Sequence, residues 1–227
     1  MNAELLAVGS EILIGDICNT HAQYLSKQLA LLGINLLRHT TIGDNQLRLL
    51  NALKEAKDRS DLVVITGGLG PTEDDLTKET VAQFCSLPLE NDLHTQKHIE
   101  DFFSKQNKSM PKNNLKQALI PKGALIFEND YGTAPGMAID FDQTIFILLP
   151  GPPNEMIPMF EEKVIPYFNK FSDSTIVSHN LYFFGISESK ADEKLSNLLC
   201  QSNPTVGLYA KEGEFRVRVS AKASTKD

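Results

Sequence analysis

The chain has 227 residues, 41% of them apolar and 22% charged, enough to bury a core in one good-sized domain or in a domain with a small appendage. A formal net charge of −7 argues against a general nucleic-acid binder, which needs a basic footprint. Cys18, Cys85 and Cys200 are far apart, with no C-x-x-C spacing; this excludes a disulfide framework or a zinc knuckle and suits a reducing compartment.

The segment from Met1 to Ile12 carries Glu4 and Glu11 and no basic residue, the wrong composition for a secretory signal. The longest apolar run, "IFILLP", is too short to cross a bilayer. A cytosolic location is therefore expected, with no membrane partner.

"ELLAVG" (Glu4–Gly9) reads as a first strand. A helix follows from a Thr20/Gln23 capping box, with Ala22, Leu25, Leu29 and Leu32 on one face until Gly33 ends it. "INLLRHTTI" reads as a second strand, and Asp44 then sits where a helix cap belongs. That helix presents Leu47, Leu50, Leu53 and Ala56 at helical spacing. "LVVIT" (Leu62–Thr66) is apolar throughout, as a strand buried on both faces would be. Strand, helix, strand, helix, strand predicts an α/β fold with a parallel sheet covered by helices.

The middle of the chain, Leu76 to Lys122, reads as mainly helical and polar. "MAIDF" and "TIFILLP" read as a hairpin or two adjacent strands, with Asp142 and Gln143 in the turn. "GPPNEM" then opens a helix with an inner face of Met156, Phe160, Val164 and Phe168, its prolines suiting a first turn. The texture changes beyond Phe171, and a domain boundary is placed near Lys170, dividing 1–170 from 171–227. In the second part "TIVSHNLYFFGI" reads as a strand, "SESKADEKLSNLLCQ" as a helix and "TVGLYAKEGEFRVRVSAKA" as a hairpin turning at Lys211–Glu214.

Ligands of open α/β sheets bind beyond the carboxyl ends of the parallel strands. The segments at such ends are Gly9-Ser10-Glu11, Gly43-Asp44, Gly67-Gly68-Leu69-Gly70 with the acids after it, and Pro150 to Asn154. If their strands are parallel neighbours, glycine backbone and the carboxylates Glu11, Asp44, Asp74 and Asp75 share one sheet edge. Bare glycine N–H groups suit phosphate oxygens. Carboxylates repel phosphate unless a cation lies between, and Mg²⁺ takes one or two carboxylates plus phosphate and water. Each part also has a plainer reading: Glu73 to Asp75 as first-turn acids of a helix, Asp44 as an N-cap, Gly151-Pro152-Pro153 as a loop. His94 and His98 lie four apart but no third ligand is evident. Ser10 lacks the second glycine of a nucleophile elbow, and neither a G-x-x-x-x-G-K-[ST] loop nor a G-x-G-x-x-G fingerprint is present.

"VGSEILIGDICNTHAQYL", "TIGDN", "TGGLGPTEDDLTKE", "GTAPGM" and "LPGPPNEM" together resemble the amino-terminal domain of the CinA (competence/damage-inducible) family. The resemblance implies a three-layer, mostly parallel MoaB/Mog-like sheet flanked by helices over 1–170. "NLYFFGISES" and "NPTVGLYAKEGEFRVRVSAKA" resemble the small α+β KH-like segment that follows in that family. The further domain that carries nicotinamide mononucleotide deamidase activity in many members is not represented, so no deamidase is expected. The resemblance implies metal-dependent hydrolysis of ADP-ribose or a similar nucleotide diphosphate to AMP and ribose 5-phosphate. Asp75 and Asp44 would be the catalytic pair and, with Asp74, the ligands of Mg²⁺, Mn²⁺ or Co²⁺, with potassium as a further candidate ion. Substrate would lie along Gly9, Ser10, Glu11, Gly67, Gly68, Leu69, Gly70, Pro71, Thr72, Gly132, Thr133, Gly151, Pro152 and Asn154.

A rival reading within the same resemblance is a molybdopterin-binding or molybdopterin adenylyltransferase-like protein. Such proteins usually have threonine in place of Leu69 and serine or asparagine in place of Pro152, which weighs against it here. The KH-like segment has seven basic and seven acidic residues and no GXXG loop, so no nucleic-acid partner is expected; a homodimer or higher homo-oligomer is.

Overall fold

The computed structural model describes residues 1–169, 175–211 and 214–223. Its elements are β1 (Asn2–Val8), α1 (Ser10–Leu13), α2 (Thr20–Leu31), β2 (Asn35–Ile42), α3 (Gln46–Lys57), β3 (Leu62–Thr66), α4 (Thr77–Phe84), β4 (Leu89–Asn91) and α5 (Leu93–Lys105). A 3-10 helix (Lys112–Ala118), β5 (Leu119–Pro121), β6 (Leu125–Phe127), β7 (Gly136–Phe141) and β8 (Thr144–Leu149) follow. Next come α6 (Pro153–Met159), a π-helical turn (Phe160–Val164), α7 (Ile165–Asn169), β9 (Thr175–Phe183), α8 (Glu188–Leu199), β10 (Thr205–Lys211) and β11 (Glu214–Ala223).

The main sheet has the order β2-β1-β3-β8-β7-β6. β2, β1, β3 and β8 are parallel neighbours; β7 and β6 complete the sheet antiparallel. Alternation along the strands sends side chains to two separate cores. Leu6, Val8, Val63 and Ile65 face α3 and α4, where Leu49, Leu53 and Val81 pack on them. Ala3, Leu5, Leu62 and Val64 face the other way, onto Leu25 and Leu29 of α2 and onto Met156, Phe160, Val164 and Phe168. The result is a three-layer α/β sandwich. Its inner strand β3 is buried at every residue, as an uninterrupted apolar run on a doubly covered strand must be.

The inner face expected at Met156, Phe160, Val164 and Phe168 is buried throughout. A constant four-residue spacing outruns the 3.6-residue period of an α-helix, and the π-helical turn at Phe160–Val164 absorbs the difference, so that one stripe still meets the sheet. The hairpin turn holds Asp142 and Gln143 at φ 49° and 67°, the left-handed pair of a two-residue turn that matches strand twist.

Local details differ from the sequence reading at both helix starts. α2 is capped by Asn19, whose side chain accepts from the Ala22 N–H at 2.9 Å, rather than by Thr20. α3 is capped by Asn45, which accepts from Arg48 N–H at 3.0 Å. Asp44 is thereby released from the capping role, and the buried stripe shifts to Leu49, Leu53 and Ala56, leaving Leu47 exposed. The middle of the chain, Leu76 to Lys122, is helical as expected but also supplies β4 and β5.

β9, β11 and β10 form a separate antiparallel sheet closed by α8 over Ala191, Phe215 and Val217. The boundary placed near Lys170 and the centre of the hairpin turn between Lys211 and Glu214 lie outside the described residues.

The cap assignment is open to a direct check: Asn45→Ala should lower the unfolding free energy by about 1 kcal/mol in urea denaturation. An unchanged midpoint would return the cap to Asp44.

Candidate functional site

All four parallel strands end at one edge of the sheet, and their following turns are stacked against each other. Gly67 lies immediately past β3 with φ +91°, and a Cβ there would fall 2.2 Å from the Val8 carbonyl oxygen at the end of β1. Its N–H donates to Leu149 O, at the end of β8, at 3.1 Å. Gly68, at φ +67°, would drive a Cβ to 2.2 Å from Thr77 Oγ1. No other residue type fits at either position, because a side chain would need both left-handed backbone and space already filled.

Beyond these glycines the chain forms the acidic loop. The Thr72 N–H donates to Asp75 Oδ2 at 3.0 Å and the Thr72 hydroxyl to the same oxygen at 2.6 Å. Asp74 Oδ1 also contacts that hydroxyl. One hydroxyl carries one proton, so two carboxylates compete for it. The Thr72 hydrogen bond, the loop's own N–H and the nearby Lys116 charge hold the Asp74 carboxyl below its usual range.

The underside of the loop is braced from the 3-10 helix. Lys116 Nζ donates to Thr72 O at 2.7 Å and to Asp75 O, and Gln117 Nε2 reaches Leu69 O at 3.3 Å. Buried Lys78 donates to Lys116 O, and burial pushes its ammonium pKa down in spite of Glu79. On the far side of the edge, Asp44 Oδ2 accepts from the Ser10 N–H at 2.9 Å and the Ser10 hydroxyl at 2.7 Å, clasping the ends of β1 and β2.

These turns surround a cleft of about 540 Å³. Of the residues expected to hold substrate or metal, Gly9, Glu11, Asp44, Gly67, Gly68, Leu69, Gly70, Pro71, Thr72, Asp74, Asp75, Thr133, Gly151 and Pro152 line it. Ser10, Gly132 and Asn154 do not, though Ser10 and Gly132 abut residues that do. Asp44, Asp74 and Asp75 share the cleft but are not one ligand set: among the described residues no group of three His, Cys, Asp or Glu is close enough to hold a metal ion. Asp44 is turned onto Ser10, while Asp74 and Asp75 gather at Thr72. His94 pairs with Glu128 at 3.4 Å and His98 with Asn129 O at 2.9 Å, which accounts for both histidines.

The sequence reading missed His21, Gln117 and Glu155 on the cleft walls and Lys116 beneath its floor. Burial lowers the His21 pKa. Glu155 follows Pro152-Pro153 in the first turn of α6, and burial raises its pKa, outweighing its Asn129 hydrogen bond. Its place two residues past a strand-end turn was a usable signal. Lys116 had none, because it arrives from a distant segment. The cleft has five carboxylates, Glu11, Asp44, Asp74, Asp75 and Glu155, and no lysine or arginine among its lining residues.

Residues 4–170 match the family model described as "Probable molybdopterin binding domain", and residues 178–227 match that of the "Damage-inducible protein CinA KH domain". A "CinA-like protein" of Dictyoglomus thermophilum is 51% identical over all of this chain and 56% of its own length; another, from Kosmotoga olearia, is 50% identical over 55% of its length. The chain thus spans little more than half of the curated relatives it matches. A crystal structure of the protein CinA from Thermoplasma acidophilum, of unknown function, is 33% identical, with a TM-score of 0.68 over 73% of this chain and 98% of that one. A structure named "Putative molybdenum cofactor biosynthesis protein from Corynebacterium diphtheriae" (13% identical, TM-score 0.50, 75% of this chain and 96% of that one) shares the fold alone. The chain belongs to the CinA family, with an amino-terminal domain of the molybdopterin-binding family.

This corrects the expected activity. The matching domain family is molybdopterin-binding, and nothing in the comparisons points to a hydrolase of ADP-ribose. Leu69 packs into the core below the loop and Pro152 precedes α6 in extended backbone, while both also line the cleft. Among the described residues no helix is long and apolar enough to cross a membrane.

Two results are expected. Lys116→Met removes two bonds to loop carbonyls and should speed amide exchange across the Pro71–Asp75 segment at least about tenfold, with β1 and β3 unaffected; equal protection in both proteins would contradict the brace. Glu155, with its folded pKa raised, costs stability at neutral pH and ceases to do so below the ordinary glutamate range. Glu155→Gln should therefore melt higher than the parent at pH 7, the gain shrinking as the pH falls through that window.

Proposed function

We propose that the cleft binds molybdopterin, a pterin carrying a phosphate, with the phosphate over Gly67, Gly68 and Gly70. The observation that carries this reading is the molybdopterin-binding family match across residues 4–170, since that span contains every wall of the cleft. Glycine N–H groups can approach phosphate oxygens closely.

A divalent cation fits the donor set in part. Asp74 and Asp75 offer oxygen ligands from adjacent positions, and the contest for one Thr72 proton leaves negative charge unmet there. Two carboxylates plus phosphate and water is the ligand set Mg²⁺ prefers. When bound, the ion would screen the carboxylates from the phosphate. The chain's own residues do the rest: Thr72 orients both carboxylates, Lys116 fixes the carbonyls behind them, and Ser10 with Asp44 keeps the neighbouring turn in place.

Titration calorimetry with molybdopterin and Mg²⁺ tests this. Saturable binding is expected, weakened at least about tenfold by Asp75→Asn, in line with the loss of a charge-assisted contact. No saturable binding by a folded parent protein would sink the reading. Release of pyrophosphate when ATP is added would extend it to adenylyl transfer.

A further inference from the structure

Glu155 is a carboxylate built into the cleft wall rather than a flexible surface acid. Asn129 Nδ2 donates to its Oε2 at 2.7 Å. Asn129 is itself buried and locked, with Nδ2 also on Ala134 O at 2.9 Å and Oδ1 accepting from the Tyr131 N–H at 3.1 Å. Gly132 packs flat against the carboxylate: a Cβ there would fall 2.2 Å from Oε2. With no side chain at Gly132, the carboxylate has room to lie against the backbone there. Oε1 has no hydrogen-bond donor among the described residues, yet the residue lines the cleft.

A fixed carboxylate with an open oxygen calls for a donor. Phosphate is excluded by charge, and among the described residues no lysine or arginine lines the cleft to answer it. A 2-amino-4-oxo pterin edge presents a ring N–H beside an amino N–H, two parallel donors spaced for one carboxylate, which has about four lone-pair sites to offer. An adenine edge sets an amino N–H beside a bare ring nitrogen, which would face the carboxylate lone pair to lone pair. Glu155 also stands apart from the acidic loop within the same cleft. Glu155 comes from α6 on one face of the sheet, with His21 of α2 on that same face, while the acidic loop leads into α4 on the other.

Resting on the molybdopterin reading above, we infer that Glu155 is the specificity-determining residue of the cleft, its carboxylate reading the 2-amino-4-oxo edge of the ligand's ring. Gly132 and Asn129 are its positioning residues.

Equilibrium binding of neopterin monophosphate, GMP, IMP and AMP to the intact chain with Mg²⁺ separates the possibilities. Neopterin and guanine share the edge; IMP lacks its amino group and AMP reverses it. Neopterin monophosphate and GMP should bind at least about tenfold more tightly than IMP or AMP. Glu155→Gln, which still accepts from Asn129, should abolish that margin, weakening neopterin monophosphate and GMP while relieving the lone-pair clash with AMP, with a thermal melt confirming the fold. A margin that survives the substitution overturns the role of Glu155 and leaves the pterin reading standing. No binding of either phosphorylated pterin or GMP by the parent protein overturns this inference, and molybdopterin's own failure in calorimetry overturns the reading beneath it. Should Glu155→Gln not fold, Glu155→Asp, which withdraws the carboxylate by one methylene, serves the same comparison: loss of the margin supports the inference and its retention refutes it.

Discussion

The arrangement of the cleft depends on one crowded point. Gly67 sits where the ends of β1, β3 and β8 converge, with the Val8 carbonyl filling the space a side chain would need and the Leu149 carbonyl holding its N–H. Three strand ends can meet this closely only because the middle one turns off through a residue without a Cβ. Once they do, the turns that follow have little freedom: Gly68 must lie against Thr77, and Gly151 packs over Gly67.

The chemistry of the cleft follows from what lines it. Glycine backbone favours anions, yet every charged side chain on the walls is acidic or, in His21, pushed toward neutrality by burial. The lysines beside the acidic loop, Lys116 and the buried Lys78, are committed to backbone carbonyls. An anionic ligand of the kind proposed would be held there by oriented N–H groups rather than by a wall lysine, a different solution from the lysine-bearing phosphate loops of other α/β proteins.

Much of this was legible in the residues. The apolar run of β3, the hairpin turn at Asp142-Gln143 and the stripe from Met156 to Phe168 obey local rules, because burial and turn geometry act over a few residues. The caps were misplaced by one residue since Asn19 and Thr20, or Asp44 and Asn45, are all capping types, and the backbone dihedrals decide between neighbours. That single residue mattered for the site, as it decided that Asp44 binds Ser10 rather than its own helix. Lys116 and the Asn129–Glu155 bond were invisible because they join segments widely separated along the chain. The choice of activity erred for another reason: acids beside glycines signal a phosphate and a cation but do not say whether a bond is to be broken.

The sheet's topology sets a timetable for synthesis. β8 pairs directly with β3, in the register of Leu62 with Ile145, and the intervening chain emerges from the ribosome before either strand is complete as a pair. Until then β3, apolar at every position, has β1 on one side and an open edge on the other. Such an edge invites pairing with the wrong strand. The growing polypeptide must pass through a stage in which this wholly apolar strand is made and its natural neighbour is not, so slow elongation between Thr66 and Thr144 would favour misassembly, and holding by a chaperone would favour yield.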